Sequence, residues 1–324
     1  GGAKEPADWG YFIEEWSKFA AAVVRYINVE HKAGIRYWEI WNEPDASHWF
    51  GRGWGGDPEH YSALFNSAVK SMKQVDPSIK VGTGGIADPY GGSLKSWWEP
   101  CLRDYGINRS IDFVCLHGYY GDPTNGHWLT ALRNARALMR QYLGHEIPIW
   151  VTEFNADFRA DFARRGLSYE KQSLYVAETL ALFAHQKIDA AQYFCIGWYG
   201  SDFCPWESTD GGKRRPVVEA YHFWQDYRGQ RMPVTVVGVK GDIFAVACRD
   251  GQKQVLYLPA NQSSAYRAIF PGSGKPKRVV AQAFTGAVAE PLSVISTPAA
   301  GGQWEVKFSL PEAKRALVKV EVEW

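Results

Sequence analysis

The chain has almost no net charge. Its 36 Lys and Arg residues stand against 35 Asp and Glu, leaving +1 over 324 residues. Charge alone therefore draws it to neither nucleic acid nor an anionic membrane, and a neutral partner or one recognised by shape is expected. No run of eighteen apolar residues occurs, so no membrane-spanning helix is expected. Cysteine is scarce and unpatterned. Cys101, Cys115, Cys195, Cys204 and Cys248 show no C-x-x-C spacing and are odd in number, which argues against a metal centre or a dense disulfide framework. Only Cys195 and Cys204 are spaced to invite a bridge.

Cofactor motifs are missing too. "PGSGKPK" at 271–277 hints at a phosphate loop, yet the earlier Gly is absent and Pro276 stands where Ser or Thr is needed. "VGTGG" at 81–85 follows a strand but lacks the G-x-G-x-x-G fingerprint and reads as a turn. No metal motif is present, so neither cofactor nor metal is expected. The sequons at Asn108 and Asn261 are too common by chance to carry weight. No signal peptide is visible, but "GGAKEPADWG" reads as an interior cut, which leaves a secreted, periplasmic or cytoplasmic location equally open.

What is abundant is aromatic. Fifteen Trp occur and thirteen precede residue 230. Most Trp rings pack cores. Those near expected loops, including Trp49, Trp54, Trp97, Trp98, Trp128, Trp198 and Trp206, suit a cleft for flat, half-polar ligands such as sugar rings.

From residue 9 to 228 apolar helices alternate with short apolar strands. A helix is expected with Phe12, Trp16, Phe19, Val23 and Ile27 on one face, then a strand over 36–41. Asp57 caps the next helix with Pro58 at its first position, and Tyr61, Leu64, Phe65, Ala68 and Met72 form its buried face. Strands near 79–83, 111–117, 148–153 and 188–196 follow, separated by helices in 93–105, around 127–142 and from Ser168 to about 185. A last helix ends near 228. Strands apolar on both faces and alternating with helices predict a parallel α/β domain. After residue 229 the texture becomes short alternating segments ("TVVGV", "DIFAVAC", "QVLYLP", "WEVKFSL") parted by turn residues, which predicts an all-β sandwich over 230–324. Its expected role is packing support for residues 1–229.

Catalytic groups of parallel βα domains sit at the C-terminal ends of strands. Two glutamates do so: Glu43 after strand 36–41 in "WNEPD", and Glu153 closing strand 148–153 in "IWVTEFN". A lone Glu at a strand end is most often a solvated or capping group. Two at corresponding ends supply what glycoside hydrolysis requires, a protonated acid beside the leaving oxygen and an ionised base or nucleophile. Neighbouring, partly shielded carboxyls push their pKa values apart, which separates these roles.

"WEIWNEPD" and "IWVTEFN" resemble the two catalytic signatures of clan A glycoside hydrolases, retaining enzymes on a (β/α)8 barrel. With "HWF" at 48–50 and "YSALFNSAVKSMKQVDPSIKVGTGG" at 61–85, the resemblance is greatest to glycoside hydrolase family 39, which includes β-xylosidases and α-L-iduronidases. It spans roughly residues 9–228. The resemblance implies that Glu43 is the acid/base and Glu153 the nucleophile, three strands later. It implies that Asn42 bonds the sugar 2-hydroxyl. His117 and Tyr119 of "LHGYY" flank the site, with the Tyr119 hydroxyl orienting the nucleophile. Trp198 floors the sugar pocket, and His48 and Trp49 contact substrate. Read without the resemblance, His117 is as readily a satisfied core histidine. The substrate expected is a glycoside or oligosaccharide with a β-linkage, such as a β-xyloside. An endo-acting clan A glycanase and a non-hydrolytic carbohydrate-binding barrel are the alternatives, the second disfavoured by both carboxylates being intact. Only five βα units are legible, preceded by a helix lacking its own strand, so the expectation is a barrel without its first three units, which would be inactive and aggregation-prone as a separate chain.

Overall fold

The computed structural model describes residues 8–46, 57–157, 166–197, 201–207, 212–235, 244–260, 265–272, 274–310 and 315–324. The chain divides into two compact units. The first comprises residues up to Tyr119 together with Asn125–Phe154 and Ile188–Tyr193. The second comprises Tyr120–Thr124, Asn155–Lys187 and Phe194–Trp324.

In the first unit, α1 (Trp9–Val24) begins at Asp8, whose carboxylate accepts the Tyr11 N–H at 3.0 Å. It packs on α2 (Pro58–Val75), with the Ser17 hydroxyl donating to the Ser67 hydroxyl at 2.8 Å. The buried face of α1 is Ser17, Ala20 and Val24 rather than the expected Phe-Trp stripe, and Phe19 is 59% exposed. The helix is apolar on two faces, and small residues permit the closer helix–helix approach. On α2 the expectation holds: Asp57 caps it, Pro58 opens it, and Tyr61, Leu64, Phe65, Ala68 and Met72 are buried.

Strands β1 (Tyr37–Ile40) and β2 (Lys80–Thr83) pair in parallel, as do β3 (Val114–Gly118), β4 (Ile149–Phe154) and β5 (Ala190–Tyr193). Parallel bridges Gly82–Phe113 and Ile86–Leu116 join the two sets into the order β1-β2-β3-β4-β5. A π-helical turn at Leu94–Trp98 runs into α3 (Glu99–Arg103) between β2 and β3, and α4 (His127–Leu143) lies between β3 and β4. In a flat sheet β1 and β4, three steps apart, would lie about 14 Å from each other. Here the Tyr37 and Trp150 ring centroids are 4.7 Å apart and Thr152 Oγ1 reaches Glu39 Oε1 at 3.0 Å. The sheet is therefore curled, with side chains of β1 and β4 meeting across its concave face. That is the arrangement of a barrel wall.

In the second unit, α5 (Tyr169–His185) is capped by Ser168, whose hydroxyl accepts the Lys171 N–H at 3.2 Å. It groups with α6 (Val217–Trp224) and with two antiparallel sheets. The larger sheet has the order β11-β10-β14-β8-β7-β6 and the smaller β12-β13-β9. The strands are β6 (Gln230–Met232), β7 (Val246–Asp250), β8 (Lys253–Ala260), β9 (Ala265–Pro271), β10 (Arg278–Phe284), β11 (Ala289–Leu292), β12 (Val294–Pro298), β13 (Gln303–Ser309) and β14 (Ala316–Glu323). Alternate residues such as Val306, Phe308, Val318, Val320, Leu256 and Phe270 from both sheets share one apolar core. Trp224 of α6 stacks on Tyr257 at 4.1 Å, and the Tyr257 hydroxyl donates to the Phe223 carbonyl at 2.9 Å. Cys195 and Cys204 form no disulfide with each other, and the Cys204 thiol donates to the Ile196 carbonyl at 3.2 Å.

Candidate active site

Glu43 reaches its position through strained backbone. Trp41 has φ 72° and Glu43 φ 45°, left-handed values that side-chain-bearing residues rarely adopt. Each costs on the order of 1–3 kcal/mol and persists only where the surroundings dictate it. Those surroundings are identifiable. The buried Tyr61 hydroxyl donates to the Ile40 carbonyl at 3.0 Å and accepts the Gly84 N–H at 2.8 Å, tying the end of β1 to the loop after β2. A side chain at Gly84 would come within 2.8 Å of the Ile40 carbonyl oxygen, so this close approach needs glycine. Trp41 meets Trp16 edge-on at 4.9 Å, and Asp45 Oδ1 accepts the Ala87 N–H at 2.9 Å. The Ala46 N–H closes the turn onto the Glu43 carbonyl at 3.0 Å.

Burial of Tyr61 raises its hydroxyl pKa well above the ordinary range, so it stays a neutral donor. Tyr61→Phe should strand the Ile40 carbonyl and the Gly84 N–H in a dry place. A stability loss of about 1–3 kcal/mol follows, together with a fall in turnover as the Glu43 turn relaxes. Urea denaturation alongside kinetics checks both, and an unchanged midpoint would show that Tyr61 does not hold the turn.

His117 and Tyr119 come from the end of β3, and Glu153 lies within β4 beside them in register. His117 is buried, with Nδ1 2.9 Å from Glu43 Oε1 and 3.5 Å from Glu153 Oε2. The Tyr119 hydroxyl donates to Glu153 Oε2 at 2.5 Å. One carboxylate oxygen of Glu43, one of Glu153 and a ring nitrogen of His117 all lie within 4.8 Å of one another. Such a trio has the spacing to share a divalent cation. Its atoms are, however, engaged with each other and with Tyr119 at hydrogen-bonding distances. The arrangement presents two carboxylates on the concave face, bridged by one imidazole.

Asn42 precedes Glu43 and is exposed. His48, Trp49 and Trp198 lie outside the described residues. In the second unit, the buried Asn155 donates to the Phe194 carbonyl at 2.7 Å and accepts from Gln172 Nε2 at 3.0 Å, a structural use of the "EFN" asparagine. Sequence reasoning missed Tyr61, Asp45 and Gly85. The signal for the last was present in "VGTGG": a side chain at Gly85 would sit 1.9 Å from His117 Nε2, so this turn is fitted to the imidazole.

Residues 8–158 match the sequence model of glycosyl hydrolases family 39. A β-xylosidase of Caldicellulosiruptor saccharolyticus is 28% identical over 169 residues, which cover 47% of this chain and 31% of the xylosidase. A β-xylosidase of Geobacillus stearothermophilus is 25% identical over 178 residues, 49% of this chain and 33% of that protein. The matched stretch thus spans about a third of these relatives' length. Among solved structures, a glucosidase from Croceicoccus marinus superimposes with a TM-score of 0.72 at 17% identity, covering 99% of this chain and 76% of its own. That likeness is one of fold, the α/β architecture of barrel glycosidases. Residues 8–158 are thus similar to glycosyl hydrolases family 39, over somewhat less than half of the chain.

Proposed function

We propose that the chain carries the catalytic pair of a retaining glycoside hydrolase, with Glu153 as nucleophile and Glu43 as acid/base. The observation that carries this reading is the approach of the two carboxylates to within 4.8 Å at the ends of strands three apart. Inverting enzymes hold their carboxyls about 6.5–9.5 Å apart to admit a water, whereas about 5–5.5 Å suits direct attack on the anomeric carbon.

The chemistry follows from the surroundings. Glu153 Oε2 accepts the Tyr119 hydroxyl, which leaves the other oxygen to attack C1 while Tyr119 fixes the carboxylate plane. As the C1–O bond breaks, Glu43 delivers its proton to the departing oxygen, and an ester forms between Glu153 and the sugar. Glu43, now ionised, takes a proton from water as that water attacks C1 and returns Glu153 to a free carboxylate. His117 lies beside both groups and stabilises negative charge on either. Asn42 is read as the partner of the sugar 2-hydroxyl, a bond that strengthens in the transition state. The relatives named β-xylosidases favour a β-xyloside-type substrate. The antiparallel sheets after residue 229 are read as a β-sandwich domain.

A panel of aryl glycosides differing only in the sugar, with the product anomer followed by NMR, tests the assignment. A β-configured first product and full activity in excess EDTA are expected. An inverted product would exclude Glu153 as nucleophile, and loss of activity in EDTA would turn the Glu43–His117–Glu153 trio into a metal site.

A further inference from the structure

The loops that follow β2 and β3 bring two rings together at the end of the sheet that also carries the carboxylate pair. Tyr90, in the loop after β2, stacks on His127, the first residue of α4, with ring centroids 4.0 Å apart and planes inclined by 24°. Tyr90 is nonetheless 42% exposed, so the stack presents surface to a ligand instead of filling a core. Both rings ride on anchored backbone. The Ile86 N–H donates to the Cys115 carbonyl at 3.0 Å, and the Ile86 carbonyl accepts the His117 N–H at 2.9 Å. The next residue, Ala87, donates its N–H to Asp45 Oδ1 at 2.9 Å, two residues past Glu43, and Ser93 and the Asp88 backbone bond the same carboxylate. Within the loop Asp88 Oδ1 accepts the Gly91 N–H at 2.8 Å, and beyond it Leu94, Trp97 and Trp98 are buried. On the other side Asn125 Oδ1 accepts the His127 N–H at 2.9 Å, and the neighbouring Trp128 is buried. Three residues of chain span at most about 11 Å, so Tyr90 stays within that distance of the backbone bonded to Asp45.

We propose that Tyr90, backed by His127, is the platform on which the sugar of the leaving group lies. This rests on the glycosidase reading for the role of that sugar, and on the stack itself for the presence of a sugar site. A pyranose carries C–H bonds on its faces and hydroxyls around its edge. It can lay one face on a flat ring while its edge stays hydrogen-bonded, which an aromatic residue with a polar tip accommodates. The stack on His127 fixes the Tyr90 ring before a ligand arrives, so little side-chain freedom is lost on binding. Glu43 sets the side of the scissile bond. As the acid it hands its proton to the departing oxygen, so the leaving group lies on its side. The Tyr90 loop is the one tied through Asp45 to the turn that carries Glu43. Asp45 thereby acts as a strut that places the proton donor and the platform of the group it protonates as one unit.

Two measurements on the full chain test this. In the first, carbon-13 NMR of labelled histidine follows His127, assigned through His127→Ala, as xylobiose is added to Glu153→Ala, which leaves the sugar uncleaved. The His127 ring signal should shift, and adding Tyr90→Ala should raise the xylobiose needed on the order of tenfold, the scale of one lost aromatic contact. The second compares xylobiose with β-xylosyl fluoride, whose leaving fluoride has no ring to stack. Tyr90→Ala should lower kcat/KM on xylobiose by about tenfold and leave the fluoride unchanged, while Tyr90→Phe keeps the platform and most of the xylobiose activity. A silent His127 signal would overturn the proposal. So would equal losses on both substrates, which would set Tyr90 against the reacting sugar and not the departing one. A His127 shift in a protein that cleaves neither xyloside would uphold the sugar site while refuting the glycosidase reading, which separates the two failures. Should Tyr90→Ala not fold, Tyr90→Leu, which keeps bulk without a ring, takes its place in both measurements.

Discussion

Glu153→Ala should lower turnover by about 10⁴-fold or more, the scale on which loss of a covalent nucleophile is felt, and azide should restore part of it. The vacated space beside C1 admits a small anion from the side Glu153 occupied, so a β-glycoside substrate gives an α-glycosyl azide. Glu43→Ala should behave differently. Removing a general acid costs about 10²–10⁴-fold, and the cost shrinks with the basicity of the departing oxygen. A dinitrophenyl glycoside, whose leaving group needs no proton, should form the glycosyl ester at near-normal rate and then stall. Azide in this variant attacks the ester from the opposite face and gives the β-glycosyl azide. Opposite anomers from the two variants would fix the roles, because no merely structural carboxylate selects a face. The same anomer from both, or equal loss on every leaving group, would remove the assignment. Circular dichroism shows whether each variant folds, since Glu43 sits in strained backbone with φ 45°.

What could be read in advance was what local chemistry specifies. The strand expected over 36–41 is β1, Tyr37–Ile40, and that over 148–153 is β4, Ile149–Phe154. Both are short apolar runs bounded by turn residues. Asp57 and Ser168 cap their helices because a short oxygen-bearing side chain before an apolar period has one favourable use. The alternation of elements put Glu43 and Glu153 at corresponding strand ends, whereas His117 and Tyr119 were expected beside them only through the family resemblance of "LHGYY". What was not legible depended on the third dimension. A helical period shows that α1 is apolar but not which of its apolar faces is covered, and Phe19 stays exposed while Ala20 and Val24 are buried. "WEI" reads as plain strand, and nothing local says that Glu39 reaches the Thr152 hydroxyl, 113 residues away. The grouping of α5 and α6 with the β-sheets is likewise long-range: the α6 aromatics Phe223 and Trp224 find Phe284 and Tyr257. The aromatic contacts expected of Trp49 and Trp198 fall outside the described residues.

The largest expected stability effect lies in the second unit and was also invisible in sequence. Arg315, at the start of β14, pairs with both oxygens of Glu178 on α5 and both of Asp122, 193 residues away, and stands 5.2 Å over the Tyr175 ring. Glu178 is only 1% exposed, and burial pushes its carboxyl up to about 7 against the pull of Arg315. Asp122 is also partly desolvated, but Arg315 and Thr124 win and hold it down at about 2. The two acids therefore oppose each other in pH. Glu178 binds its proton more tightly folded than unfolded, so its contribution is complete below its ordinary pKa near 4.5 and is lost as pH rises through about 7. Asp122 contributes above its ordinary 3.8 and loses that contribution as pH falls towards 2. Arg315→Met removes the counter-charge and leaves Glu178 to be either ionised and unpaired or protonated. At pH 8 the loss should be about 3–5 kcal/mol, the usual cost of breaking a buried pair from one side. At pH 5 it should be much smaller, because a lone buried carboxyl then keeps its proton. Arg315→Met with Glu178→Met should recover most of the loss, since an apolar pair avoids the desolvation that ions incur. Urea denaturation of the three proteins at both pH values measures this. A loss independent of pH would mean that Arg315 acts through packing on Tyr175 and not through Glu178. A double variant no more stable than the single one would mean that the site requires its charges.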